Sequence, residues 1–239
     1  MRTSIFILAL CLSTILVNAQ DFNALKKKAE SSIPSMSNGK LTEKEVAAGL
    51  KEALNRGVEK GVNKLSKPDG YFKDPQIKIL MPKEAREVES KLRSLGQGDK
   101  VDQAIKSMNR AAEDAASEAK TLFVAAIKDM DIKDAMSILR GDNDSATKYL
   151  KKSTRAQLTK KFQPKIKTSL ENVDATKYWN TVFSSYNKLP FVDEVNPDLE
   201  KYVTKKAING LFVQVAKQEL EIRKNPKARV SDLLKKVFE

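Results

Sequence analysis

The chain contains no histidine. That removes histidine general acid–base catalysis, Ser-His-Asp and Cys-His nucleophiles, and His-ligated zinc, iron or copper. Its one cysteine, Cys11, falls in a segment expected to be cleaved, so disulfides and thiolate chemistry are excluded with it. Glycine and proline are scarce, at 9 and 8 in 239 residues, too few for a collagen-like, linker-rich or many-turned all-β design. Beyond the N-terminus no stretch approaches the roughly 20 apolar residues of a spanning helix. Carboxylates, Lys, Arg, Tyr, Ser and Thr are the groups that remain for chemistry, and nothing among them points to a cofactor.

What the chain does have is charge. Charged residues make up 31% and hydrophobic residues 41%, a mix that suits a folded chain rather than a disordered one. The formal net charge is +13. The first residues read as a secretory signal. Arg2 is the positive start, residues 5–17 are uncharged and apolar, and Val17-Asn18-Ala19 places suitable residues for cleavage before Gln20. A lipoprotein reading around Cys11 fits poorly, because bulky Leu10 precedes it inside the apolar run. The expected organisation is a signal peptide over 1–19, a flexible leader over 20–40 and one helical domain over 41–239. Loss of Arg2 alone from the charge count leaves +12. That balance favours an anionic membrane surface, an anionic polymer or an acidic protein. Export makes nucleic acid the least expected partner and places the protein in the periplasm or outside the cell.

Periodicity then predicts an all-α, bundle-like domain of roughly eight or nine helices without significant sheet. Thr42 and Glu45 form a capping-box pattern, and Val46, Leu50, Leu54, Val58 and Val62 recur every four residues behind it. Gly49, Ala53, Gly57 and Gly61 run beside that stripe as a shallow groove for a neighbouring helix. Pro68-Asp69-Gly70 signals a turn, and residues 76–81 read as an ordered loop because a lone strand is unstable. A helix over 83–95 should stop at Gly96, and one long helix capped by Asp99 should run to about Met130 along Val101, Ile105, Met108, Ala112, Ala115, Ala119, Leu122 and Ala126. Asp131 should cap 132–140, and a further helix should run to about Phe162 before Pro164 restarts the chain. Asp174 should cap an aromatic segment carrying Trp179 and Phe183. Asn196 with Pro197 should open a final long helix to about Lys224, followed by a short one over 231–238.

Several phrases occur in order along this frame: Met108-Asn109-Arg110-Ala111-Ala112-Glu113, then Ile138-Leu139-Arg140-Gly141 with Ala146-Thr147-Lys148-Tyr149, then Tyr202-Val203-Thr204 with Gly210-Leu211-Phe212, then Ile222-Arg223-Lys224-Asn225-Pro226. On these the chain resembles the exported bacterial family catalogued as domain of unknown function 4197, over about residues 41–238. The resemblance implies an exported, helical bacterial protein. It brings no established activity and assigns no catalytic residue.

Two features of the residues carry the functional expectation. Glu219 lies on the stripe Ile208, Phe212, Val215, Glu219, Ile222, where a helix ought to be apolar, and Arg223 sits one turn away. Asn109 and Glu113 lie one turn apart beside the seam of the long helix. These four could join in a buried polar network that sets helix register, or line a pocket in which Arg223 holds an anion. The second feature is residues 145–170, which carry eight cations and no acid. Lys148, Lys151, Lys152 and Arg155 there form the basic side of an amphipathic helix, either a solvated face or a contact for an anionic partner. Asp142-Asn143-Asp144-Ser145 lacks the glycine and final glutamate of a calcium loop and reads as capping, so no metal site is assigned. Four Ser-x-x-Lys matches stand without the partner motifs of penicillin-binding enzymes. The expectation is an exported, non-catalytic binding or envelope-associated protein. The alternative is a carboxylate-based hydrolase using Glu113 and Glu219.

Overall fold

The computed structural model describes residues 41–172, 175, 176, 179, 183, 187, 198–229 and 231–238. The signal-peptide and leader expectations, the Asp174 cap and the Asn196-Pro197 helix start fall outside them. The described residues lie in one unit, Leu41–Glu239. It is all-α: eight α-helices and two short 3-10 turns among the described residues, with no strand among them.

The first helix, α1 (Glu43–Leu65), begins on the expected capping box. The Glu45 N–H donates to Thr42 Oγ1 at 3.3 Å, and the Thr42 N–H donates to Glu45 Oε2 at 2.8 Å. Its apolar stripe and its line of small residues are both buried. A Cβ at Gly49 would lie 2.8 Å from Val237 Cγ2, and one at Gly57 would lie 3.2 Å from Ile222 Cδ1. The groove is therefore filled by side chains of two other helices, and at Gly49 the neighbouring side chains would have to shift to admit an alanine.

After α1 the chain crosses the structure as a loop through residue 82. Asp69 adopts φ +71, which aspartate tolerates. Tyr71 is fully buried, and its hydroxyl donates to the Ala207 carbonyl at 2.9 Å. Ile77, Ile79 and Met81 alternate inward like a strand. The partner that a strand needs is supplied by a side chain: Asn109 Oδ1 accepts from the Ile79 N–H at 2.8 Å, and Asn109 Nδ2 donates to the Ile79 carbonyl at 2.8 Å.

Helices then follow in quick succession. A 3-10 turn, Lys83–Ala85, leads into α2 (Arg86–Ser94), which ends at Gly96 with φ +73. Next come α3 (Gly98–Ala116), α4 (Ala119–Asp129), α5 (Ile132–Arg140), α6 (Ser145–Glu171), α7 (Leu199–Lys224) and α8 (Asp232–Val237). Asp131 caps α5 as expected, accepting from the Asp134 N–H at 2.6 Å. Asp99 does not cap α3: Gln97 precedes it and makes no side-chain cap. The start of α7 is Leu199, where Asp198 accepts from the Lys201 N–H at 2.8 Å.

Two further expectations are corrected. The single helix to Met130 is broken at Ser117 and Glu118, where tighter i+3 bonds replace the α-helical ladder. The buried positions shift at the break. Ala119, Phe123 and Ile127 face inward in α4, and Leu122 and Ala126 move to its flank. Conversely, Pro164 does not stop α6. Its ring lies on the exposed side, so the carbonyl it leaves unpaired faces water. Leu150, Leu158, Phe162, Ile166 and Leu170 are fully buried on both sides of it. Burying one such residue is typically worth about 2–5 kcal/mol, so Ile166 and Leu170 together outweigh the roughly 3 kcal/mol of an interior proline. The four-residue spacing of that stripe gains about 40° per step on the helix period, so the buried face winds around α6. It packs against α7, α3 and α4, while α7 packs also on α1. Ala111, Ala112, Ala115 and Ala116 let α3 sit at the centre of the core.

Candidate functional site

Glu113 and Glu219 occupy buried positions on two different helices, and each is held in the same manner. On α3, Glu113 is 3% exposed. Its Oε1 accepts from the backbone N–H groups of Tyr71 at 3.0 Å and Phe72 at 3.1 Å. Its Oε2 accepts from Arg110 Nη1 at 2.5 Å. Arg110 reaches on to Asp69 Oδ1 at 2.6 Å, and Asp69 also pairs with Lys73 at 2.8 Å. Lys73 and Arg110 together hold the Asp69 carboxyl below its ordinary range. Burial, with the Glu113 charge behind it, pushes the Tyr71 phenol up. The whole arrangement pins the loop after α1 onto α3.

On α7, Glu219 is 5% exposed. The N–H groups of Ala146 (3.0 Å) and Thr147 (2.9 Å) and the Thr147 hydroxyl (2.8 Å) all donate to it. Arg223 donates through Nε at 3.1 Å and Nη2 at 3.0 Å. The same guanidinium donates to the carbonyls of Ile138 at 2.7 Å and Leu139 at 3.2 Å. Asp144 stands at the N-cap of α6 but makes no side-chain cap. Glu219 does that work from 72 residues away, and its negative charge sits at the positive end of the α6 dipole. Arg223 serves the opposite end of α5 in the same way. The crevice beside the pair holds about 10 Å³, no more than the room of a single water.

The four predicted interior residues are thus divided. Asn109 and Glu113 serve the 69–81 loop, Glu219 and Arg223 serve the ends of α5 and α6, and no hydrogen bond joins the two groups among the described residues. Arg110 completes the first group and was missed in the sequence, although it stands three residues before Glu113.

The basic residues come together on an exposed surface. Lys148, Lys151, Lys152 and Arg155, with Ala156 and Thr159, border a shallow open depression of about 640 Å³. Lys148 is paired with Asp144 at 2.9 Å and Asp142 at 3.4 Å, which raises its pKa. Lys151 and Lys152 make no ion pair among the described residues. Arg155 Nη2 donates to Asn209 Oδ1 on α7 at 3.0 Å. That bond and the Glu219–Thr147 bond fix α6 and α7 as antiparallel neighbours. A second acid-free stretch, residues 201–218 with Lys201, Lys205, Lys206 and Lys217, therefore lies along the first. Charge counting along the chain could have found it, but not its placement.

No set of three or more acidic, His or Cys side chains is placed to hold a metal among the described residues. No described helix is long and apolar enough to cross a membrane.

These features define an all-α multi-helix protein with capped interior carboxylates and a lysine-rich outer face. Residues 40–239 match the family described as "Protein of unknown function (DUF4197)", and the chain belongs to that family. No curated protein and no solved structure matches it.

Proposed function

We propose that this is an exported, non-catalytic binding protein that grips a multivalent anionic partner through the basic face of α6. The observation that carries the reading is the group of exposed Lys148, Lys151 and Lys152 with half-buried Arg155 around one open depression, on a 27-residue helix whose first 26 residues contain no acid. Lys148 is offset by Asp142 and Asp144 at the start of the helix, whereas Lys151, Lys152 and Arg155 make no ion pair among the described residues and raise the local potential that draws anions at long range. The predicted signal over 1–19 and the +12 balance agree with a basic protein acting in the periplasm or beyond it.

The hydrolase alternative has less support. It needs Glu113 and Glu219 to converge on a cleft with free lone pairs. Each is instead engaged by backbone N–H groups and its own arginine.

The test uses protein recovered from exporting cells, its N-terminus read first, with a start at or near Gln20 expected. Binding to polyphosphate and to anionic vesicles is measured as salt is raised. Salt-sensitive binding to at least one, reduced tenfold or more by Lys148→Glu with Lys152→Glu and Arg155→Glu, is expected. Binding to neither, or full binding by the charge-reversed variant, overturns the reading.

A further inference from the structure

The apolar side chains beside the basic face single out its partner. Asn209 places its side chain against Arg155. On an α-helix, residues four and eleven positions further on return to within about 40° of the same face. Those residues are Val213 and Leu220, and both are 39% exposed. Seven positions before Asn209 on this stripe stands Tyr202, with the Lys206 ammonium 5.6 Å from its ring centroid. The Tyr202 hydroxyl donates to the carbonyl of Leu80, a leucine that is 50% exposed. Two of the six exposed large hydrophobic side chains of the described residues, Val213 and Leu220, thus lie along one stripe of α7 beside the cations of α6, and a third, Leu80, is tied to that stripe through Tyr202.

A linear polyanion is satisfied by cations alone. Apolar side chains set among lysines, with a tyrosine in the row, match a lipid surface. There the cations meet headgroup phosphates while the apolar groups enter the acyl boundary. We infer that the α6–α7 face is an interfacial membrane-docking surface for anionic phospholipid, with Val213 and Leu220 as its inserted residues. This rests on the binding reading above and names its partner.

The decisive experiment compares three proteins recovered from exporting cells: wild type, the double variant Val213→Ser with Leu220→Ser, and the charge-reversed triple variant. All carry the same N-terminus, so any part it plays cancels. Each is sedimented with phosphatidylcholine vesicles, with vesicles containing phosphatidylglycerol, and titrated with polyphosphate. Wild type is expected on the phosphatidylglycerol vesicles only, with a fraction still bound at salt that abolishes polyphosphate binding. The serine variant should bind those vesicles about tenfold more weakly and polyphosphate unchanged. As a second measurement, a polarity-sensitive dye on Val213→Cys should shift to the blue on anionic vesicles. Vesicle binding untouched by the serine changes and no dye shift overturn the insertion while leaving the basic face intact. Polyphosphate binding without vesicle binding overturns the lipid assignment in favour of a polymer. Binding to nothing overturns both readings.

Discussion

Glu113 and Glu219 are two versions of one device, and the difference between them is instructive. Each is a buried glutamate on a long helix, each accepts two consecutive backbone N–H groups from a distant segment, and each has an arginine within one turn of its own helix. The arginine of the first is 34% exposed at its side chain and shares itself with a surface aspartate. That of the second is 11% exposed and donates instead to two carbonyls at the end of α5. Glu113 holds down a loop and Glu219 joins three helices. The deeper site leaves more unsatisfied groups behind if it is broken.

The largest effect should come from Glu219→Ala, which strands Arg223 and two N–H groups of α6. A loss of about 3–5 kcal/mol is expected, read by urea unfolding. Arg223→Ala should melt well below Lys224→Ala, and equal melting temperatures would mean the pair carries no stability.

Glu113→Ala should cost less, about 2–3 kcal/mol, because Arg110 can turn to Asp69 and to water. Hydrogen exchange should localise the damage to residues 69–81, whereas Glu219→Ala should raise exchange at the start of α6. The reverse pattern would dissolve the comparison.

Tyr71→Phe removes one buried hydrogen bond to Ala207 and should cost about 1 kcal/mol.

Acid should act on the loop after α1 through Asp69. The Asp69 carboxyl is lowered by Lys73 and Arg110, so its contribution is present above the ordinary aspartate pKa of about 4 and is lost as pH falls through the lowered value. Asp69→Asn should flatten the acid limb of the stability curve. At the other end of the scale, burial raises the Tyr202 phenol to about 12. Its contribution is full below the ordinary tyrosine pKa of about 10 and fades as pH rises towards 12. Tyr202→Phe should flatten that alkaline loss, and an unchanged slope would place the phenol in water.

The smallest effect belongs to the surface. Charge reversal at Lys152, which makes no ion pair among the described residues, should change stability by no more than about 0.5 kcal/mol, checked by thermal melting. A larger loss would make that α6 cation part of the fold.

Local signals were legible wherever the interaction that decides them is itself local. The Thr42–Glu45 box, the Asp131 cap and the left-handed Gly96 each involve residues within one turn. The break at Ser117 and the continuation through Pro164 were not. In both, burial against other helices outweighs the local preference, and the four-residue stripe of α6 gives no indication of which helices will cover it. The glutamates were legible as carboxylates at apolar positions. Their partners were not, because Ala146 and Thr147 lie 73 and 72 residues from Glu219.

By itself, then, the sequence determined that this is a basic, histidine-free, all-helical chain of this family, since composition, helix period and short-range capping depend only on neighbouring residues. Only the tertiary structure decided that the four interior polar residues serve two separate joints. It alone laid the two acid-free segments side by side with Val213 and Leu220 on the same face. The reason is physical: a backbone N–H or an exposed stripe has no partner until helices distant in the chain pack together, and which ones pack is set by the shape of the whole core.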